Sequence, residues 1–340
     1  MIPVRMTRPG REVFTGRVIH PWCMLIIWMA VFPFEGKSFG FHAHRIINRM
    51  AVYTLPPEMI GLYKSHIEFL AERSIDPDRR AHVVEGEAPR HYIDIDHFGE
   101  QPFQSMPRDW SEARAKYSRD TLMEYGVLPW HIDEMAQRLT LAFQKRDLDQ
   151  ILINSAHLGH YVADACTPLH TTLHYNGRTE AERGIHALWE SRLPELYAHE
   201  YDYLTGRAEY IPDPLEKAWE LIEQSHHHVA KIYQVYDSLH SVIPADQIYV
   251  VEMRGQATGQ HFSRTFSAAF HRGLEGMVEQ QMQKAVKTIG DFWFTAWVDA
   301  GQPRLDDLSR QSISQRLLQM INNQESVWGN EKESVERPVH

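Results

Sequence analysis

The sequence predicts an all-α protein, and three observations carry that expectation. Apolar residues recur at helical spacing from Ala43 to the end of the chain. No stretch shows the apolar and polar alternation of a half-buried strand. Breaks rich in Pro, Gly and Asn interrupt the pattern at intervals, as a succession of helices requires. The composition permits such a fold: 340 residues, 43% hydrophobic and 24% charged, supply enough apolar side chains for a large core. No fixed-period repeat is present, so a solenoid is excluded.

The first 38 residues read differently from the rest. Arg5, Arg8, Arg11 and Arg17 precede an apolar run from Cys23 to Phe34, which is followed by Glu35-Gly36-Lys37-Ser38. A basic leader, a short apolar run and small residues at Gly36 and Ser38 make a signal peptide, cut ahead of Phe39. The run is shorter than the roughly 18 to 20 residues that cross a bilayer, so no stable membrane anchor is expected. Cys23 stands at the start of the run, not after it, and so does not look like a lipid-attachment site. The mature chain is expected to be secreted or periplasmic.

From residue 39 to 303 the helical pattern is continuous. Leu139 and Phe143, then Leu148, Ile151 and Leu152, then Leu158, Tyr161 and Val162 mark successive amphipathic helices. Breaks fall at Leu55-Pro56-Pro57, from Gly99 to Arg108, at Thr167-Pro168, from Tyr175 to Arg178 and from Ile211 to Pro214. None is long enough to be a linker, which predicts one multi-helix domain over 39–303. After Gly301-Gln302-Pro303 the chain turns polar. Residues 304–340 are expected to form a partly disordered tail, with little to bury from Gln324 onward.

Charge and cysteine content narrow the function. The formal net charge is −10, and residues 1–38 hold five of the 35 Lys and Arg but two of the 45 Asp and Glu, so the remainder is more acidic still. Binding driven by nucleic-acid phosphates favours a basic surface. Excess carboxylate fits bound divalent cations. Cys166 is the single cysteine after residue 38, so no internal disulfide can form, and stability is left to a helical core and bound metal.

Twenty-one His residues justify a search for metal ligands, and one segment repays it. His160-Tyr-Val-Ala-Asp164 is followed by Cys166-Thr-Pro-Leu-His170 and then by His186-Ala-Leu-Trp-Glu190. Each His–carboxylate pair is four residues apart and projects from one helix face, one turn apart. Imidazole nitrogen and carboxylate oxygen suit Zn²⁺ where thiolates are absent. A single such pair is commonly a helix-stabilising ion pair. Two pairs flanking His170 argue for a site.

At these residues the chain resembles the zinc-dependent phospholipase C family, whose wider superfamily includes the single-strand-specific zinc nucleases. The resemblance runs from Phe39 to about Pro303. Phe39-Gly-Phe-His-Ala-His44 matches the family opening, in which the mature N-terminal residue chelates a metal through its own amine and carbonyl. Ser74-Ile-Asp76-Pro-Asp-Arg79 and Arg90-His91-Tyr-Ile-Asp94 match the next segments. The resemblance implies three zinc ions: one held by Asp76, His91, His160 and Asp164, a second by His170, His186 and Glu190, and a third by Phe39, His44 and Asp164. Asp164 then bridges two metals. Two departures stand out. Phe39 replaces the family's usual Trp, which leaves the backbone chelate intact, and Cys166 sits where relatives often carry His and is read as a structural thiol.

Other features receive a structural reading. His226, His227 and His228 are consecutive and cannot converge on one ion from a helix. His157, one turn before His160, is an outer or core His, and Asp94, Asp96 and His97 are outer partners that orient ligands. Arg79 and Arg90 are read as salt-bridging, and Trp293 and Trp297 as core.

The implied activity is phosphodiester hydrolysis by a hydroxide bridging the metals that share Asp164, with Asp76 as general base and no covalent intermediate. The leading reading is phospholipase C-like, releasing diacylglycerol and a phosphorylated headgroup from a phospholipid. The alternative is a nuclease acting on single-stranded nucleic acid, and a third reading is a non-catalytic zinc-binding protein. Glu190, the short segment from His170 to His186 and the missing disulfides resemble the phospholipase branch, whereas the short spacing from Phe39 to His44 resembles the nuclease branch. A purely structural zinc site favours thiolates, which this chain lacks. No protein partner is evident.

Overall fold

The computed structural model describes residues 40–81, 83–254 and 257–328. Phe39 and the expected signal segment therefore lie outside the described residues. The helices used below are α1 (Phe41–Ala51), α2 (Ile67–Arg73), α3 (Asp76–Ala81), α4 (Leu128–Lys145), α5 (Leu148–Ala165), α6 (Pro214–His226), α7 (Met277–Asp299) and α8 (Gln315–Trp328).

The centre of the fold is α5. Fourteen of its eighteen residues are buried, so it has no solvent face of any width and must be surrounded. Six helices do this: α1, α2, α3, α4, α6 and α7 all pack against it. Its start is fixed by Asp147, whose carboxylate accepts the Gln150 N–H at 3.1 Å, and Arg146 turns the chain from α4 in a left-handed conformation. Its end is fixed by side chains from elsewhere. Ser225 donates to the Ala165 carbonyl at 2.7 Å and Gln281 to the Cys166 carbonyl at 2.7 Å, satisfying acceptors that a helix terminus leaves open.

Close approach of α1 to α5 depends on one glycine. A Cβ on Gly159 would lie 2.0 Å from Asn48 Oδ1, so the Asn48 side chain of α1 fills the space that any larger residue would need. His44 is one turn before Asn48, and His160 follows Gly159. The contact brings the two imidazoles together.

The all-α expectation holds, with one exception among the described residues. A two-stranded antiparallel hairpin, β1 (Tyr249–Arg254) and β2 (Ala257–Phe262), pairs Tyr249 with Phe262. Val251 on β1 is largely exposed, so the strand carries no clean inward and outward alternation for a sequence reading to find. Trp293 and Trp297 are buried on α7, with Trp293 Nε1 donating to the Ser155 carbonyl at 3.0 Å. Part of the expected polar tail is helical: Leu317 and Ile321 of α8, four residues apart, are buried. No described helix is long and apolar enough to cross a membrane.

Candidate metal centre

Three elements converge on one point. From α5 come His160 and Asp164, both completely buried, with His160 Nε2 3.2 Å from Asp164 Oδ2. The turn Ala88–His91 supplies His91, whose Nδ1 lies 3.0 Å from Asp164 Oδ2 and 3.0 Å from His160 Nε2. Helix α3 supplies Asp78, whose Oδ1 is 3.6 Å from His91 Nδ1 and 3.5 Å from His160 Nε2. Tetrahedral zinc with bonds of 2.0–2.1 Å has ligand atoms about 3.3 Å apart. The two imidazole nitrogens lie 3.0 Å from each other and 3.0–3.6 Å from both carboxylate oxygens, close to that spacing.

A second group forms after α5 ends. Pro168 opens the turn Pro168–Thr171, which directs His170 inward. His170 Nδ1 is 2.7 Å from the His91 carbonyl oxygen, which can only accept, so Nδ1 carries the hydrogen and Nε2 turns its lone pair towards Glu190. His170 Nε2 is 3.3 Å and His186 Nε2 3.0 Å from Glu190 Oε2.

Glu190 sits on a π-helical turn, Leu188–Arg192, where Leu193 N–H reaches back to the Leu188 carbonyl. The next residue, Pro194, has no N–H and cannot bond the Glu190 carbonyl as an α-helix would. That carbonyl accepts the Gly40 N–H at 3.1 Å instead. The first described residue is thereby tied to the backbone of a candidate ligand.

His44 completes a third group with His160 and Asp164. Its Nε2 lies 3.5 Å from Asp164 Oδ1, and its ring stacks on that of His160 with centroids 4.0 Å apart. Asp164 Oδ1 is also 3.7 Å from His170 Nδ1. One carboxylate thus borders all three groups.

The electrostatics favour ligand protonation states. Burial lowers the pKa of His44 and holds that of His160 well below its ordinary value, with neighbouring imidazoles adding to both shifts. Both are neutral at pH 7, as coordination requires. Burial opposes charge on Asp164, but the adjacent His160 and His170 outweigh it, and the carboxyl is held well below the usual range.

A buried ion network backs this cluster, and nothing in the sequence pattern announced it. Glu87 accepts from Arg80 at 2.9 Å, Arg90 at 2.6 Å and the Tyr161 hydroxyl at 2.5 Å. Tyr161 presents its ring edge-on to His91 and His160, at 5.4 and 5.3 Å between centroids. The network joins the three elements that carry Asp78, His91 and His160. Asp96 does serve an outer role, accepting from the Thr172 hydroxyl at 2.6 Å and from Leu173 N–H at 2.9 Å, which fixes the chain after His170. His226 does the same for Thr171, at 3.0 Å from its hydroxyl.

No family model matches the sequence, and no curated protein matches it. Solved structures similar to it include an alpha-toxin of Clostridium perfringens from an avian strain, with 12% identity over 77% of this chain and 64% of that chain, TM-score 0.44. Another is an alpha toxin of Clostridium absonum, with 13% identity over 77% of this chain and 64% of that chain, TM-score 0.43. The chain spans less than two thirds of the length of either toxin.

One expected position differs from the sequence reading. Asp76 does not join the cluster. Its carboxylate is 3.5 Å from Arg73 Nη1, 3.4 Å from Arg79 Nη1 and 3.9 Å from His157 Nε2, and Asp78 faces His91 and His160 in its place. Two residues on a helix are separated by about 200°, so the two carboxylates must point to different sides. Two arginines draw Asp76 to theirs. His44, His91, His160, Asp164, His170, His186 and Glu190 are brought together; Phe39 lies outside the described residues.

Proposed function

We propose that the chain is a secreted zinc-dependent phosphodiester hydrolase of the phospholipase C type, with three zinc ions arranged about Asp164. The observation that carries this reading is that His91 Nδ1 and His160 Nε2, both buried, lie 3.0 Å from each other and 3.0–3.6 Å from Asp164 Oδ2 and Asp78 Oδ1, a donor set whose chemistry suits zinc. His170, His186 and Glu190 would hold a second ion, and His44 with Asp164 and the amine and carbonyl of Phe39 a third. Bound zinc supplies Lewis-acid withdrawal of charge from the phosphoryl oxygens and acidifies water near neutral pH.

The chain's own groups do the rest. Asp164 turns Oδ1 towards His44 and His170 and Oδ2 towards His91 and His160, so it would touch more than one ion. The carbonyl of His91 fixes the His170 tautomer. We assign to Asp78, instead of Asp76, the acceptance of a proton from the attacking water, because its carboxylate is the one at the cluster. The net charge of −10 disfavours a polyanionic nucleic acid as substrate and leaves a phospholipid as the better fit.

The test is a parallel assay of purified protein on phosphatidylcholine and single-stranded DNA, with and without chelator. Chelator-sensitive release of phosphorylated headgroup is expected. Turnover of DNA alone would shift the reading to a nuclease, and zinc binding with no turnover of either would leave a zinc-binding protein.

A further inference from the structure

The arginines that draw Asp76 out of the cluster also hold a second carboxylate, from the far end of the chain. Glu325 Oε1 is 2.8 Å from Arg73 Nη1 and 3.5 Å from Arg79 Nη1. A single oxygen thus sits between two guanidinium groups, as one oxygen of a phosphate would. Asp76 already balances one of the two positive charges. Without Glu325 the cluster carries one net positive charge, and with it none.

Glu325 is delivered by α8, which is lightly held. Its buried side chains are Leu317 and Ile321, which stand apart from the contiguous core, while Leu318, Met320 and Val327 remain exposed. At its start, Ser314 N–H donates to Asp149 at 3.0 Å. At its other end the Glu325 contact is the described tether. Among the described residues α8 is thus held by two buried side chains, the Ser314–Asp149 contact and one half-buried ion pair, few contacts to break for a helix of fourteen residues.

The arginine pair borders the candidate metal centre. Arg79 shares α3 with Asp78, and its guanidinium stands 5.8 Å from the ring of Phe41, at the start of the helix that carries His44. We propose that Arg73 and Arg79 form a binding site for a phosphate-bearing ligand, and that Glu325 on a displaceable α8 caps it. This stands on the arginine pair and holds whether or not the cluster binds zinc.

Hydrogen exchange of the 315–328 amides in the full-length protein tests it, with inorganic phosphate compared to sodium chloride at matched ionic strength. Phosphate is expected to speed exchange about tenfold beyond chloride, because it competes for the site while chloride mainly screens the pair. Glu325→Gln should exchange fast in both salts, and Arg79→Gln should lose the difference between them. Dihexanoyl phosphatidate below its micelle concentration is the parallel arm. Release by it alone assigns lipid-borne phosphate, and release by both assigns phosphate in general. If α8 answers phosphate, phosphatidate and chloride alike, the contact is an ordinary ion pair and the proposal fails. A second readout removes any contribution from phosphate at the metal centre, which is common to all variants. Phosphate should raise the melting temperature of Glu325→Gln more than that of Glu325→Gln/Arg79→Gln, and equal shifts would overturn the site.

Discussion

Asp76 and Asp78 stand two residues apart on one six-residue helix and turn their carboxylates to different partners, Asp76 to Arg73 and Arg79, Asp78 to His91 and His160. The pair separates a candidate ligand from a residue held by arginines. Asp78→Asn is expected to lower zinc content and to cut turnover by at least about a hundredfold, more than the loss of an outer-shell partner costs. Asp76→Asn should keep its zinc. Elemental analysis of the two purified variants decides, and zinc loss in Asp76→Asn with none in Asp78→Asn would reverse the assignment.

The distinction was not legible in the sequence, for a physical reason. His160 with Asp164 is fixed by helical periodicity alone, since four residues make about one turn and the helix type is evident from the apolar spacing, whereas His186 and Glu190 meet across the start of a π turn. Helix α3 has six residues, too few for an apolar face to set its rotation. The arginines decide it, and one of them lies on another helix. Glu87 was hidden similarly. Its three partners come from positions 80, 90 and 161, and no local pattern marks a Glu in a turn as buried. The π turn at Glu190 did leave a signal, Pro194, but its meaning depends on Gly40 being near.

Asp164 borders all three donor groups, so its loss should be felt by more than one metal. Asp164→Asn is expected to remove more zinc and more activity than His44→Ala, which touches one group. Metal stoichiometry measured on both variants is the check. Wild-type zinc and turnover in Asp164→Asn would end the bridging role.

Glu87 ties stability to pH. Burial raises its pKa, but Arg80, His91, Tyr161 and Arg90 together prevail and hold the carboxyl well below the usual range. Its contribution is therefore complete above the unfolded value of about 4.3 and is lost as pH falls towards the depressed folded value. Glu87→Gln leaves Arg80 and Tyr161 without their anion and should cost roughly 3–5 kcal/mol at pH 7. Urea unfolding from pH 7 down to pH 3 would show the difference between variant and wild type shrinking with acid. A constant difference would mean that the Glu87 charge is not what matters.

Gly159 governs the approach of α1 to α5. Gly159→Ala sets a methyl group against Asn48 Oδ1 and should cost roughly 1–3 kcal/mol. It should also weaken metal binding through His44, because α1 must back away. Asn48→Ala in the same chain makes room and should restore part of both. Failure of the double variant to recover either property would show that the two helices do not meet there.

Gly40 N–H is bonded to the Glu190 carbonyl because Pro194 cannot occupy it. The link fixes the backbone of the first described residue beside the group formed by Glu190. If Phe39 is the mature terminus, its amine, with a pKa of about 7.7–8.0, is readily deprotonated and can coordinate, whereas a peptide nitrogen at that position cannot. Protein beginning at Phe39 should therefore bind one more zinc than protein with a single extra residue ahead of it, at equal thermal stability of the metal-free forms. Pro194→Ala supplies a competing N–H for the Glu190 carbonyl and should weaken the same zinc, even with Phe39 free. Equal zinc content and equal turnover in all three proteins would show that the terminus is not a ligand, and would leave His44 and Asp164 to hold that ion without it.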